Sequence, residues 1–119
     1  MRMFDLYYED YFKMTRKDII SAIRDTEGRT IMAETIISTF SLLDGVSNPE
    51  TASAFSADMI TLNTFNFEAP FTFGYDDTNL NPYIDVQGYA SKIQEIIDEN
   101  KLDRDYIKKL KRVVGRFIG

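Results

Sequence analysis

Two polar side chains interrupt segments that are otherwise apolar and typical of β-strands. Glu34 lies within the β-branched segment 29–37, and Asn63 is the last residue of the segment 58–63. A carboxylate is expensive to bury unless it is paired, so Glu34 is a candidate metal ligand or general base. The alternative role for Glu34 is a structural ion pair, for example with Arg29. Asn63 is a candidate for holding a substrate oxygen or orienting a carboxylate; alternatively, it ends the strand and turns the chain.

The loop between these two segments combines a turn with the start of a helix. Asp44 and Gly45 mark the turn, and Ser47 to Glu50 reads S-x-x-E with a proline just inside the helix. Free backbone N–H groups at a helix start attract anions, so Ser47, Asn48 and Asp44 are candidate substrate-binding residues. The alternative is that Ser47 and Asn48 are helix caps and that Asp44 belongs to the turn.

A long irregular stretch follows, over residues 64–89. Its aromatic side chains alternate as in a strand or hairpin, although a proline interrupts them; they are Phe65, Phe67, Phe71, Phe73 and Tyr75. A connection of this length is often functional, and a small packed flap is the alternative. The pair Asp76-Asp77 lacks the spacing of an EF-hand, so we interpret it as a solvated turn.

Composition excludes several kinds of chemistry. The chain has 119 residues, no histidine and no cysteine. A Ser-His-Asp triad, imidazole ligands, thiolate zinc sites and disulfides are therefore excluded. A net charge of −5 argues against partners such as nucleic acid or an anionic membrane. Without an apolar run of the length that a membrane span requires and without a signal-peptide pattern, a cytoplasmic location is expected.

The elements that position Glu34 and Asn63 alternate between helix and strand. An aromatic arm over residues 1–14 precedes βα units over residues 15–119, within one domain. The expected elements are a helix capped by Thr15, strand 29–37, helix 49–57, strand 59–63, helices 90–100 and 103–114, and a third strand starting near 116. Strands that are apolar on both sides predict an α/β fold with a parallel sheet covered on both faces.

Three parallel strands are too few to close a barrel, and they leave much apolar surface to cover. We therefore interpret the chain as the amino-terminal portion of a (βα)8 TIM barrel. In such barrels the loops after the carboxyl ends of the strands build the active site. This placement predicts that Glu34, Asn63 and the backbone around Ser47 share one pocket.

The segment "GVSNPETASAFSADMITLN", residues 45–63, resembles the first strand-loop-helix-strand unit of the phosphoenolpyruvate mutase/isocitrate lyase superfamily. With the flanking runs 27–44 and 115–119, it is similar to an uncharacterised bacterial group of barrel proteins. The resemblance implies a lyase or mutase that acts on a small phosphorylated or carboxylated substrate, with a divalent metal such as Mg²⁺. The acidic metal ligands of that superfamily lie largely on later strands. None of residues 1–119 corresponds to one of those ligands.

Other functions remain open at this point. A phosphosugar epimerase or aldolase barrel has the same architecture, and a truncated barrel would be inactive. A non-catalytic, self-associating module is the alternative from a different class, because open strand edges seek partners. A homo-oligomer is expected in either case, with buried contacts from aromatic residues of the arm, namely Phe4, Tyr7, Tyr8 and Tyr11.

Overall fold

A computed structural model describes residues 1–77 and 86–119 of the chain. Residues 78–85, which belong to the predicted irregular stretch, lie outside the described residues. The elements follow in the order of a 3₁₀ helix (Met3–Asp5), α1 (Asp10–Lys13), α2 (Arg16–Asp25), β1 (Met32–Ile36), α3 (Asn48–Ala54), β2 (Met59–Asn63), α4 (Val86–Asn100), α5 (Tyr106–Val114) and β3 (Phe117–Ile118). The protein is therefore α/β.

The three strands form one parallel sheet in the order β1-β2-β3. The register pairs Met32 with Met59, and Met59 in turn with Phe117. Because α3 connects β1 to β2, the prediction of adjacent parallel strands with a helical crossover is confirmed. The third strand is also present where the sequence predicts it.

The first strand begins three residues later than predicted. The Arg29 backbone N–H and the Arg29 Nε both donate to the Thr26 carbonyl, at 3.2 and 2.8 Å. Gly28, at φ 82°, turns the chain in between. Arg29 therefore completes the end of α2. Ile31 leads into the sheet, since its carbonyl accepts from the Met59 N–H at 3.1 Å, and the paired register with β2 begins at Met32.

The two faces of the sheet are covered by different parts of the chain. Ile60 and Leu62 of β2 share one buried cluster with Leu110 and Val114 of α5, and Ala52 of α3 packs against this cluster. The helix α3 between β1 and β2 and the helix α5 directly before β3 thus lie on the same face. On the opposite face, Met59 and Phe117 pack against Met3, Tyr11 and Ala22 from the amino-terminal segment.

The predicted aromatic arm is part of this second cluster. Tyr11 is only 3% exposed, and its ring lies 4.9 Å from the ring of Phe117. The Tyr8 hydroxyl donates to the Arg112 carbonyl at 2.7 Å. Helix α2 then begins at the predicted capping box, where the Asp18 carboxylate accepts from the Thr15 N–H at 2.7 Å. Tyr11 is therefore buried within the chain and unavailable to an oligomer interface.

The expectation that β1 is covered on both faces is wrong. The register places Met32, Glu34 and Ile36 on the face of Met59, but the amino-terminal segment reaches only β2 and β3. Met32 and Ile36 remain 60% and 46% exposed, and Glu34 is exposed as well. Glu34 therefore does not bear the cost of burial that the sequence pattern suggested.

The irregular segment after β2 is a packed flap within its described part. No strand forms over residues 64–77. The Phe65 ring lies 5.6 Å from the ring of Tyr106 on α5, and Phe73 stacks on Tyr89 of α4 at 6.2 Å. The alternation therefore reflects aromatic packing onto α4 and α5, and the strand or hairpin interpretation is wrong.

The interpretation of Asp76-Asp77 as a solvated turn is also wrong. The Asp76 carboxylate accepts hydrogen bonds from the Tyr106 hydroxyl, from Asn100 Nδ2 at 3.0 Å and from the Thr72 N–H at 2.9 Å. Asp77 accepts from the Tyr89 hydroxyl at 2.9 Å. The two carboxylates tie the flap to α4 and α5, because tyrosines on these helices carry hydroxyl groups to them.

Candidate functional site

The side chains of Glu34 and Asn63 meet at the carboxyl edge of the sheet. Asn63 Nδ2 donates to Glu34 Oε1 at 2.7 Å, and both residues are exposed. Their contact is diagonal across the two strands: the parallel register pairs Glu34 with Thr61 and Ile36 with Asn63, so Glu34 and Asn63 lie on the same face, two residues apart in register. Arg29, the suggested ion-pair partner of Glu34, instead lies 3.9 Å from the Glu27 carboxylate. The amide of Asn63 therefore fixes one Glu34 oxygen, while Oε2 makes no hydrogen bond to the described residues.

Two hydroxyl side chains adjoin the pair, and sequence reasoning missed both. Thr64 directly follows Asn63 and adopts a left-handed backbone, with φ 68°. Its Oγ1 lies 2.8 Å from Ser38 Oγ, in the loop after β1, and 2.5 Å from the Asn63 carbonyl oxygen. Their position in the sequence could have revealed them, since Ser38 and Thr64 are polar residues just beyond the ends of the two strands.

Asn48 and Glu34 line the same open groove. The groove runs along the free edge of β1 toward α3 and has a volume of about 500 Å³. Besides Glu34 and Asn48, its lining includes the apolar side chains of Ile36, Leu42 and Phe55. Asn48 Oδ1 accepts from the Leu42 N–H at 3.1 Å, so its oxygen already orders the loop before α3.

Ser47 is placed as the capping alternative describes. It is fully buried. Its N–H and its hydroxyl both donate to Glu50 Oε2, at 2.9 and 2.6 Å, and the Glu50 N–H donates back to Ser47 Oγ at 3.3 Å. The carboxylate at the start of α3 is thus the chain's own. The Gly74 backbone also packs directly on the Val46–Ser47 peptide, so this helix start offers no open anion cradle.

Asp44 lies in the turn that precedes Ser47. It is exposed, and Gly45 beside it has φ 72°. A single antiparallel bridge pairs Leu43 with Val46 around the turn. Nothing in this geometry directs the Asp44 carboxylate toward Glu34, and its role in substrate binding stays a prediction.

The metal prediction depends on Glu34 and its oxygen-bearing neighbours. Across residues 1–77 and 86–119 there is no group of three or more acidic side chains that could hold a metal ion. The donors at the edge are nevertheless hard oxygens, from a carboxylate, an amide and hydroxyl groups. Mg²⁺ is commonly held by one or two carboxylates with water and substrate oxygens completing the shell. The donor set fits such a shared site and does not fit a cage made by the protein alone.

These observations define the class: an α/β protein whose parallel sheet carries a carboxylate–amide pair at its carboxyl edge. The family described as a domain of unknown function, DUF7916, matches residues 4–119, and the chain belongs to this family. No curated protein and no solved structure matches the chain significantly. The likeness to the mutase and lyase superfamily is not tested by these comparisons and stays a prediction. Within the described residues, no helix has the length and apolar character needed to span a membrane.

Proposed function

We propose that this chain forms the first βα units of a (βα)8-type barrel enzyme that acts on a small carboxylated or phosphorylated substrate. In this proposal the Glu34–Asn63 pair is the part of the active site that the chain contributes. The single observation that carries the proposal is the 2.7 Å contact between Asn63 Nδ2 and Glu34 Oε1 at the carboxyl edge of a parallel sheet.

The order of the strands supports a barrel over a doubly wound sheet. Sequential strands are neighbours, and α3 and α5 cover the same face of the sheet. A doubly wound sheet reverses its strand order and places helices on both faces. In a barrel the face opposite α3 and α5 is the interior, and that face carries Glu34, Thr61 and Asn63. The amino-terminal segment with α1 and α2 covers this face only at the amino-terminal ends of β2 and β3, at Met59 and Phe117, and leaves the carboxyl edge open.

Electrostatics restrict how an anionic substrate can bind beside Glu34. The chain is acidic, and Glu34 forms no ion pair with any described residue. An anion next to an unpaired carboxylate is repelled, so a divalent cation between them is the arrangement that physical chemistry favours. Glu34 and the Asn63 oxygen would hold this cation, which when bound would neutralise and orient the oxyanion of the substrate. Asn63 keeps the Glu34 carboxylate in place by donating to Oε1.

Calorimetric titration with oxalate in the presence of Mg²⁺ tests this proposal, because oxalate is a small dicarboxylate that chelates the cation. We expect the wild-type chain to bind and Glu34→Gln to lose at least about tenfold in affinity, because the variant lacks the carboxylate that would hold the cation, and even loss of a residue that only supports a metal ligand costs about tenfold. Glu68→Gln is the matched control, since Glu68 is another exposed carboxylate outside the site. Equal affinities for the wild type and Glu34→Gln would contradict the proposal.

A self-associating module is the second candidate, and one observation favours it. Large apolar side chains are exposed along the free edge of β1 and the neighbouring α3; they are Ile31, Met32, Ile36, Leu42 and Phe55, at 59%, 60%, 46%, 82% and 83%. A second copy of the chain that covered this edge would remove these side chains from water. Unlike the enzyme, such a module needs no oxalate binding and no intact Glu34.

A further inference from the structure

Thr64 has a backbone conformation that its side chain disfavours. β-Branched residues rarely adopt a positive φ, because the left-handed region crowds the branched side chain against the backbone. Thr64 nevertheless has φ 68° immediately after Asn63. Strained residues of this kind persist only where their surroundings hold them, and they cluster at functional sites.

Hydrogen bonds on two sides hold Thr64 in this conformation. Its Oγ1 is 2.5 Å from the Asn63 carbonyl oxygen and 2.8 Å from Ser38 Oγ. One Thr64 proton cannot serve both oxygens, so when Thr64 donates to the Asn63 carbonyl, Ser38 donates to Thr64. The same Asn63 carbonyl also accepts from the Ile37 N–H at 3.3 Å. The loops after β1 and β2 are thus joined at the backbone of Asn63.

This junction holds the backbone from which the Asn63 side chain extends. The Asn63 carbonyl is held toward the β1 loop, while its amide reaches Glu34 on the exposed face. The Ser38–Thr64 pair supplies the only side-chain hydrogen bond that links the two loops directly, within the described residues. A change at Ser38 or Thr64 would therefore loosen the Asn63 carbonyl without altering Asn63 or Glu34 themselves. With the Thr64 hydroxyl lost, this carbonyl would keep, among the described residues, only its bond from the Ile37 N–H.

We propose that Ser38 and Thr64 are positioning residues that direct the Asn63 amide onto Glu34 and so prepare this carboxylate for its ligand. The inference rests on the proposed function, which it extends by two residues. It also explains why a strained threonine occupies a position where glycine would be relaxed. The Thr64 hydroxyl provides the link between the loops, and glycine has none.

The test compares the side-chain amide NMR resonances of Asn63 in the wild type and in variants. We expect Ser38→Ala and Thr64→Gly to shift these resonances in the direction seen for Glu34→Gln, in which the charge-assisted bond is lost. Thr64→Ser keeps the hydroxyl and is expected to retain the wild-type resonances. Ser56→Gly is the matched control, because Ser56 is also left-handed, at φ 72°, but lies beyond α3; it should leave the Asn63 amide unchanged.

The same variants separate positioning from simple stability. We expect Ser38→Ala and Thr64→Gly to weaken Mg²⁺–oxalate binding roughly tenfold, as loss of a residue that orients a metal ligand does, with melting temperatures close to that of Ser56→Gly. If Glu34→Gln moves the Asn63 resonances and Ser38→Ala and Thr64→Gly do not, the inference is overturned. If Glu34→Gln does not move them, the pair does not form in solution and the inference also fails. If the wild type binds no Mg²⁺–oxalate, the proposed function fails, while the resonances still decide the positioning role.

Discussion

At the scale of single residues, the chain uses its carboxylates in two different ways. Glu34 is exposed and has one oxygen available, whereas Asp76 is largely enclosed and accepts hydrogen bonds from three donors. Burial raises the pKa of Asp76, and the hydrogen bonds from Tyr106, Thr72 and Asn100 offset part of that effect. Asp76 therefore has a structural role, whereas Glu34 keeps one oxygen open for the proposed ligand.

The raised pKa of Asp76 predicts a specific dependence of stability on pH. Because the folded pKa lies above the unfolded value, the contribution of this group to the free energy of unfolding is greatest at low pH. It is lost as pH rises from the unfolded value, about 4, through the folded pKa. Asp76→Asn should remove this loss, because the asparagine amide does not ionise. The Asn100 amide can turn to present its oxygen to the new NH₂ group, so the hydrogen bond between the two side chains is kept. The measurement is chemical denaturation of the wild type and the variant between pH 3 and pH 7, in roughly single-unit steps.

Asp18 provides a control of opposite sign. The hydrogen bonds from Thr15 lower the pKa of Asp18 below its ordinary value. Its contribution is therefore present above the unfolded pKa and is lost as pH falls. Asp18→Asn should remove a loss of stability that occurs as pH falls, whereas Asp76→Asn should remove one that occurs as pH rises. If the pH dependence of the free energy of unfolding changes with the same sign in both variants, the assigned directions of the two pKa shifts are wrong.

At the scale of elements, the contact between the flap and the start of α3 depends on one glycine. Gly74 has φ 82°, and a Cβ at this position would lie 2.6 Å from the Val46 carbonyl carbon and 2.7 Å from the Ser47 nitrogen. Gly28 has the same φ, but nothing lies within 4 Å of its added Cβ. The two glycines thus share a conformation and differ only in their surroundings.

This difference predicts unequal effects of alanine at the two positions. Gly28→Ala should lower the free energy of unfolding by about 1 to 2 kcal/mol, from the left-handed conformation alone. Gly74→Ala should cost about 3 kcal/mol or more, because backbone atoms must also move apart. Thermal melts or urea titrations measure both. Similar losses in the two variants would mean that the flap does not pack on the Val46–Ser47 peptide.

The order of the elements could be predicted from the sequence, whereas the environment of several side chains could not. Capping boxes at Thr15 and Ser47 and the left-handed Gly115 depend on neighbours within a few residues, so local patterns revealed them. The burial of Asp76 depends on Tyr106, which is 30 positions away. The exposure of Glu34 likewise depends on how far the amino-terminal segment reaches over the sheet. These long-range contacts leave no periodic signal.

The candidate site was predicted in part for the same reason. Glu34 and Asn63 could be brought together because adjacent parallel strands align their carboxyl ends. Ser38 and Thr64 could not, because their link depends on a positive φ that no local pattern indicates at a threonine. Ser47 fitted two patterns at once, and only the structure distinguishes the buried cap from the anion contact.

At the scale of the whole molecule, the free edge of β1 is the surface through which self-association is expected and can be tested. Phe55 is 83% exposed beside this edge, whereas Phe67 is 77% exposed on the flap. If copies pair through the edge, Phe55→Glu should shift sedimentation toward the monomer, because a charge would enter an apolar contact. Phe67→Glu is the matched control and should leave the distribution unchanged. A wild-type chain that sediments as a monomer at micromolar concentration would contradict self-association.

The central claim is that the carboxyl edge of the sheet binds a cation and a small anion at Glu34. Mn²⁺ is paramagnetic and replaces Mg²⁺ at hard oxygen sites, so it broadens the NMR signals of nearby residues. With Mn²⁺ and oxalate added, we predict selective broadening at Glu34, Ser38, Asn63 and Thr64. This broadening should disappear in Glu34→Gln and persist in Glu68→Gln. Broadening centred elsewhere, such as at Asp76 or Asp103, or unchanged broadening in Glu34→Gln, would contradict the claim.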